Sequence, residues 1–242
     1  MATHPPRRLL GVDLASQPTN TSIAVLEGQR LVELRSAAND DDIVALAHGC
    51  DAVGLDAPLG WPDDFIAMVT AHHHGVSLPE ATPRSLQLRR TDHFVAERIG
   101  KRPLSVSTDR IGVVALRGIR ILERLRGPGA DRSGRTGVYE TYPGGAVVAW
   151  QLVARSYKRS DSTPERQTIV EALGRHLDLG DDAARLVASD DDLDAVLCAA
   201  VAGLARLGRT VAPEPGDVDR AGREGWIHVP AGPIDDLAAL DG

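Results

Sequence analysis

The stretch Arg8-Leu9-Leu10-Gly11-Val12-Asp13-Leu14 decides how this chain is read. Its apolar run predicts a buried strand, and that strand finishes in a carboxylate. Buried strands seldom end in an acid for packing reasons, because an unpaired buried carboxylate costs several kcal/mol. The same pattern recurs in Ala52-Val53-Gly54-Leu55-Asp56 and in Val138-Tyr139-Glu140. A fourth acid, Asp194, lies on the apolar stripe of a late helix, with Leu197, Val201 and Leu204 at i+3, i+7 and i+10. Four acids that could converge at one sheet edge suit a hard cation.

Outward from the first strand, Glu27-Gly28-Gln29 predicts a hairpin turn between strands at 22–26 and 30–34. A helix is expected over 40–47, with Asn39 or Asp40 as its N-cap, and a fourth strand over 52–55. Residues 60–135 change texture: Pro, Gly and His punctuate short helical stretches, the longest near 109–125. This segment reads as a helical insertion over one end of the sheet. A fifth strand over 137–141 resumes the core, and Pro143 opens a helix through Val153. Further helices are expected over 163–174, 181–187 and 190–207, then a short strand at 226–229 and a loose tail at 231–242.

Strands joined by tight turns are antiparallel, whereas strands separated by helices can run parallel. The expectation is therefore one α/β domain over 1–242. It holds a mixed five-stranded sheet, flanking helices, and the insertion between strands four and five. Ligands gather beyond the carboxyl ends of parallel strands. Asp13, Asp56 and Glu140 fall at those ends.

A chain of 242 residues can bury a sizeable core, and its 43% hydrophobic and 25% charged content is that of an ordinary globular protein. No apolar run reaches the roughly 18 residues of a membrane span, and the first ten residues lack a signal-peptide core. A cytoplasmic protein with no membrane partner is expected. Cys50 and Cys198 fit no metal spacing and read as small core residues. The net charge of −7 argues against nonspecific coating of nucleic acid. Its distribution is uneven: residues 84–126 hold eleven Lys/Arg and four acids, a net of +7, leaving −14 for the rest. That stretch is either a solvated helix face with scattered ion pairs or a surface for an anionic partner.

Each acid also has an ordinary reading. Asp13 could begin the loop after its strand by bonding a nearby N–H. Asp56 precedes Ala57-Pro58, where the chain is extended, and could be a turn residue. Glu140 could sit on an exposed edge strand. Asp190 and Asp192 are accounted for as helix-start acids. Asp194 is not, and Asp191 shares its face one turn earlier.

Several motifs together resemble a known family. They are Gly11-Val12-Asp13-Leu14-Ala15, Gly54-Leu55-Asp56-Ala57-Pro58-Leu59-Gly60, Arg90-Thr91-Asp92, Tyr139-Glu140-Thr141-Tyr142-Pro143, Tyr157-Lys158, Asp191-Asp192-Leu193-Asp194-Ala195 and Glu224-Gly225-Trp226-Ile227-His228-Val229-Pro230. The chain is similar to the predicted RNase H-like nucleases, domain of unknown function 429, over nearly its whole length. The late helix also resembles the acidic helix of RuvC-type junction resolvases, in which the position matching Asp194 is a metal ligand.

The resemblance implies a ribonuclease H-like fold and Mg²⁺- or Mn²⁺-assisted hydrolysis of phosphodiesters in DNA or RNA. Asp13 would bridge two ions, with Asp194 on one, Asp56 or Glu140 on the other, and Asp191 as an outer ligand. Lys158 could steady a phosphate or the attacking water. Arg90, Arg110 and Arg117 of the basic insertion could contact backbone phosphates. Two rivals stand beside this reading: a non-catalytic scaffold that keeps the fold, and an ATP phosphotransferase of the actin-like kinase type, for which no duplicated half is evident. The P-loop-like Gly129–Thr136 stretch has Arg135 where Lys is required and leads into a strand, so it reads as a loop. His72-His73-His74 reads as an exposed loop.

Overall fold

The computed structural model describes residues 6–154 and 156–241. Six strands form one mixed sheet: β1 (Arg8–Asp13), β2 (Ser22–Glu27), β3 (Arg30–Ser36), β4 (Ala52–Leu55), β5 (Val138–Thr141) and β6 (Ile227–His228). Their order across the sheet is β3-β2-β1-β4-β5-β6. The first three strands pair antiparallel, and β1-β4, β4-β5 and β5-β6 pair parallel. The sheet thus has six strands where five were expected. The short segment around Ile227 joins β5 as an edge strand because Trp226, Ile227 and Val229 are all buried. Gly28, at φ 58°, makes the tight β2-β3 turn.

The helices are α1 (Asp40–Ala47), α2 (Asp63–His73), α3 (Pro83–Gln87), α4 (Arg90–Ile99), α5 (Ile111–Arg126), α6 (Pro143–Ala149), α7 (Thr163–Leu173), α8 (Ala183–Ala188), α9 (Asp190–Arg206) and α10 (Val218–Glu224). Asn39 caps α1 by accepting from the N–H groups of Asp41 and Asp42 at 2.8 and 3.0 Å. Side chains alternate across a strand, so the sheet has two distinct faces. Leu10, Val12, Ile23, Val25, Val53, Leu55 and Val138 pack on α1 and α5. Leu9, Ala24, Leu26 and Tyr139 pack on the layer built from α6 to α9.

The structure corrects two expectations. The insertion does not lie only over one end of the sheet. Its longest helix, α5, packs beside α1 on one face of the sheet, because Ala115, Gly118, Ile121, Leu122 and Leu125 form a buried stripe. Nor is the tail loose. Residues Ile234–Asp241 form a 3₁₀ helix whose Leu237 and Leu240 are fully buried, and Asp241 Oδ1 accepts the Gln29 N–H at 2.8 Å.

The α9 helix lies directly on β1 and β4. It can come this close because Gly11 and Gly54 point toward it. A methyl group at Gly11 would overlap the Ala195 carbonyl oxygen, and one at Gly54 would overlap that of Cys198. Among the described residues no helix is long and apolar enough to cross a membrane.

Candidate metal centre

The alternation that aims Gly11 and Gly54 at α9 also sets the direction of two acids. Asp13 is two residues beyond Gly11, and Asp56 two beyond Gly54, so both leave the sheet on the α9 side. Helix α9 is capped by Ser189, whose hydroxyl accepts the Asp192 N–H at 3.1 Å. Its first turn and a half then brings Asp194 to the same edge. One carboxylate oxygen from each of Asp13, Asp56 and Asp194 lies within 4.8 Å of the others.

Asp194 is held on both sides. The Tyr157 hydroxyl donates to its Oδ1 at 2.6 Å, and the Lys158 ammonium pairs with its Oδ2. The same ammonium is 3.9 Å from Asp56 Oδ2. Three acids against one cation leave the group short of positive charge. Burial, reinforced by the charges of Asp194 and Asp56, raises the Asp13 carboxyl from 3.8 to about 9. Burial raises Asp56 to about 7, with Lys158 opposing and Asp194 adding to the rise. Asp194 is also raised by burial, against the pull of Lys158 and Tyr157. Burial opposes the charge on Lys158, but Asp194, Asp56 and Asp13 outweigh it and raise the ammonium well above its ordinary value.

Asp191 is exposed at the lip. Burial, Asp190 and Asp194 raise its carboxyl, whereas Lys158 and a hydrogen bond with Asp13 pull it down. Lys101, the chain's other lysine, lies 5.5 Å from the Tyr142 ring centre. Desolvation and the Lys158 charge lower it, opposed by Asp194 and Asp56. Both lysines therefore border the carboxylates. A cavity of 160 Å³ opens beside them, lined by Asp56, Leu104, Tyr142 and Lys158 and, at its other wall, by Arg89 and Glu140. A wider groove of 820 Å³, between α2 and Arg132, shares no residue with the three acids.

Of the two alternatives, Asp56 and Glu140, it is Asp56 that lies with Asp13 and Asp194. Glu140 pairs with Leu55 in register, and Leu55 faces α1 and α5, so Glu140 points away from α9. There the Arg89 guanidinium donates to both of its oxygens, at 2.7 and 2.8 Å, and the Leu59 N–H donates at 2.9 Å. Arg89 also binds Asp92 at 2.9 Å, and all three side chains are buried. Glu140 is a structural anchor outside the group of three.

Two of the three arginines expected to bind phosphate are likewise occupied. Arg90 donates to Asp217 at 2.8 Å. Arg117 donates to Asp40 and to the Thr21 hydroxyl, both at 2.6 Å, and to the Ala15 carbonyl at 2.7 Å. Arg110 is exposed, and among the described residues no carboxylate lies within 4.0 Å of it.

Some residues escape a reading of the sequence. Asp192, expected to be only a helix-start acid, is buried and accepts from Ser22, Ser36 and Arg185 at 2.6, 3.1 and 2.7 Å. Glu224 accepts the N–H groups of Asp63 and Arg90, at 2.8 and 2.7 Å, and so caps α2 and α4 together. The motif around Arg90 draws attention from its neighbour Arg89, whose i+3 spacing to Asp92 is the one local signal of the buried pair. His72 and His73 end α2 and His74 follows as its C-cap, so only the last lies outside the helix, and all three are exposed.

Among known proteins, a family described as "Protein of unknown function (DUF429)" matches residues 11–219. No curated protein and no solved structure matches the chain.

Proposed function

The chain belongs to the DUF429 family, and we propose that it is a divalent-metal-dependent nuclease that hydrolyses phosphodiester bonds. The observation that carries this reading is the approach of Asp13, Asp56 and Asp194 to within 4.8 Å at the carboxyl edge of parallel strands. Three mutually repelling, largely desolvated carboxylates are costly unless a cation joins them. Their donors are all hard oxygens, which suit Mg²⁺ or Mn²⁺. The strand order, antiparallel through β3-β2-β1 and parallel through β1-β4-β5, is consistent with a ribonuclease H-like sheet.

In this reading Asp13, Asp56 and Asp194 hold the cation, and Asp191 stands by at the rim. When bound, such an ion lowers the pKa of an attacking water and neutralises charge on the leaving oxygen. The chain's own groups do the rest. Tyr157 fixes the rotamer of Asp194 through its hydroxyl, and Lys158 pairs with that carboxylate and opposes the rise that burial imposes on it. Lys101 and Arg110, on the basic insertion, offer donors to substrate phosphates, and Tyr142 offers a ring face for a base. The substrate is nucleic acid, and the setting is the cytoplasm, where nucleic acid and Mg²⁺ coexist.

The test is hydrolysis of single-stranded, duplex and branched DNA and RNA with Mg²⁺ or Mn²⁺, using wild type and Asp13→Asn. Cleavage that needs the metal and disappears in the variant supports the reading. Absence of cleavage on every substrate by metal-loaded wild type counts against it.

A further inference from the structure

We infer that this centre takes one divalent cation, not two, and that the ammonium of Lys158 stands where a second cation would otherwise sit. The inference rests on the proposed metal site and deepens it.

Two ions about 3.5–4 Å apart need a shared carboxylate and further acids on each flank. The structure leaves too few. Glu140, the natural fourth acid, lines the same cavity as Asp56, but both of its oxygens are held by Arg89. Asp191 stays at the exposed rim, and of the three inner acids Asp194 has Oδ1 bound to the Tyr157 hydroxyl and Oδ2 to Lys158. The ammonium also lies 3.9 Å from Asp56 Oδ2. It is therefore wedged between Asp194 and Asp56, the two acids that a second ion would have to draw on.

Charge leads to the same count. Once ionised to bind metal, three carboxylates and one ammonium carry two negative charges, which one divalent cation neutralises and two overshoot. Further out, Asp191 and Lys101 add one charge of each sign. The ammonium has a fixed tether, because Tyr157, the preceding residue, is buried and bonded to Asp194. Lys158 is thus a built-in counter-ion that leaves Asp13, with the free edge of Asp56, as the open side of the site.

The experiment counts ions directly. Mn²⁺ is titrated into metal-free wild type, Lys158→Met and Lys158→Arg, with free Mn²⁺ read by electron paramagnetic resonance. Expected are one bound ion per chain in wild type and in the arginine variant, which keeps the charge. The methionine variant should bind two, with the broadened signal of a spin-coupled pair. Two ions in wild type would overturn the inference while leaving the metal site standing. One ion in both wild type and Lys158→Met would overturn the part assigned to Lys158. No bound ion in wild type would sink the metal reading itself. The wild-type count decides the stoichiometry even if a variant fails to fold.

Discussion

Arg89 grips Glu140 with two parallel hydrogen bonds, 2.7 and 2.8 Å long, beneath the carboxyl edge of β5. This pairing sets Glu140 apart from Asp13, Asp56 and Asp194, the three acids proposed to hold a cation. Breaking a buried ion pair by removing one partner costs about 3–5 kcal/mol. Arg89→Met should lose that much in urea unfolding at neutral pH. Glu140→Gln should leave Mn²⁺ affinity unchanged. A folded Glu140→Gln that no longer binds Mn²⁺ would return Glu140 to the set of ligands.

The metal-free protein should lose stability as pH rises. Asp13 titrates near 9 in the folded chain against 3.8 ordinarily, and Asp56 near 7. Between those limits the unfolded chain has already released protons that the folded chain still holds. Stability then falls with pH from about 4 upward, through 7 for Asp56 and 9 for Asp13. Asp13→Asn removes the larger share. In chelator at pH 8 its Tm should exceed that of wild type by at least about 2–4 °C. Saturating Mn²⁺ should reverse the ranking, because the variant lacks a ligand. Parallel melting curves for the two proteins from pH 5 to 9 would contradict the assignment.

Arg110 and Arg117 should behave differently when their charge is reversed. Arg117 is pinned to Asp40, Thr21 and two carbonyls, so Arg117→Glu should cost about 3–5 kcal/mol. Arg110 is exposed, and Arg110→Glu should change stability by no more than about 0.5 kcal/mol. Its effect should appear in single-stranded DNA binding, with weaker affinity and a salt slope reduced by about 1. Fluorescence anisotropy across a salt series measures both. Unchanged affinity at low salt would remove Arg110 from the interface.

The docked tail makes a separate claim. Leu240 is fully buried against Gly203 and Leu9, beneath α9. Leu240→Ala should cost about 2–5 kcal/mol. A change near zero, by chemical denaturation, would mean that the tail packs without contributing to the fold.

Much of the site is legible in the chain, and particular residues explain the remainder. Gly11-Val12-Asp13 and Gly54-Leu55-Asp56 share a spacing, and strand alternation turns it into one direction for both acids. Asp194 stands out by its place on an apolar stripe. Glu140 misleads because being near a strand end does not say which face a side chain takes. Its true neighbour in pattern is Val138, two residues earlier, which packs with α5. The Arg89–Glu140 pair spans 51 positions and leaves no local trace. The tail misleads because its acids, Asp235, Asp236 and Asp241, mask a two-leucine stripe too short to register as a helix. The basic stretch looks like a nucleic-acid surface because charge counts do not reveal which arginines already have partners inside the protein.

The bare backbones of Gly11 and Gly54 act as a depth gauge for α9. One added carbon at either would lever that helix outward and carry Asp194 off from the strand acids. The proposed chemistry thus depends on atoms that are missing as much as on oxygens that are present. A drift at two positions touching neither ion nor substrate could silence the centre while every charged group in it stayed in place.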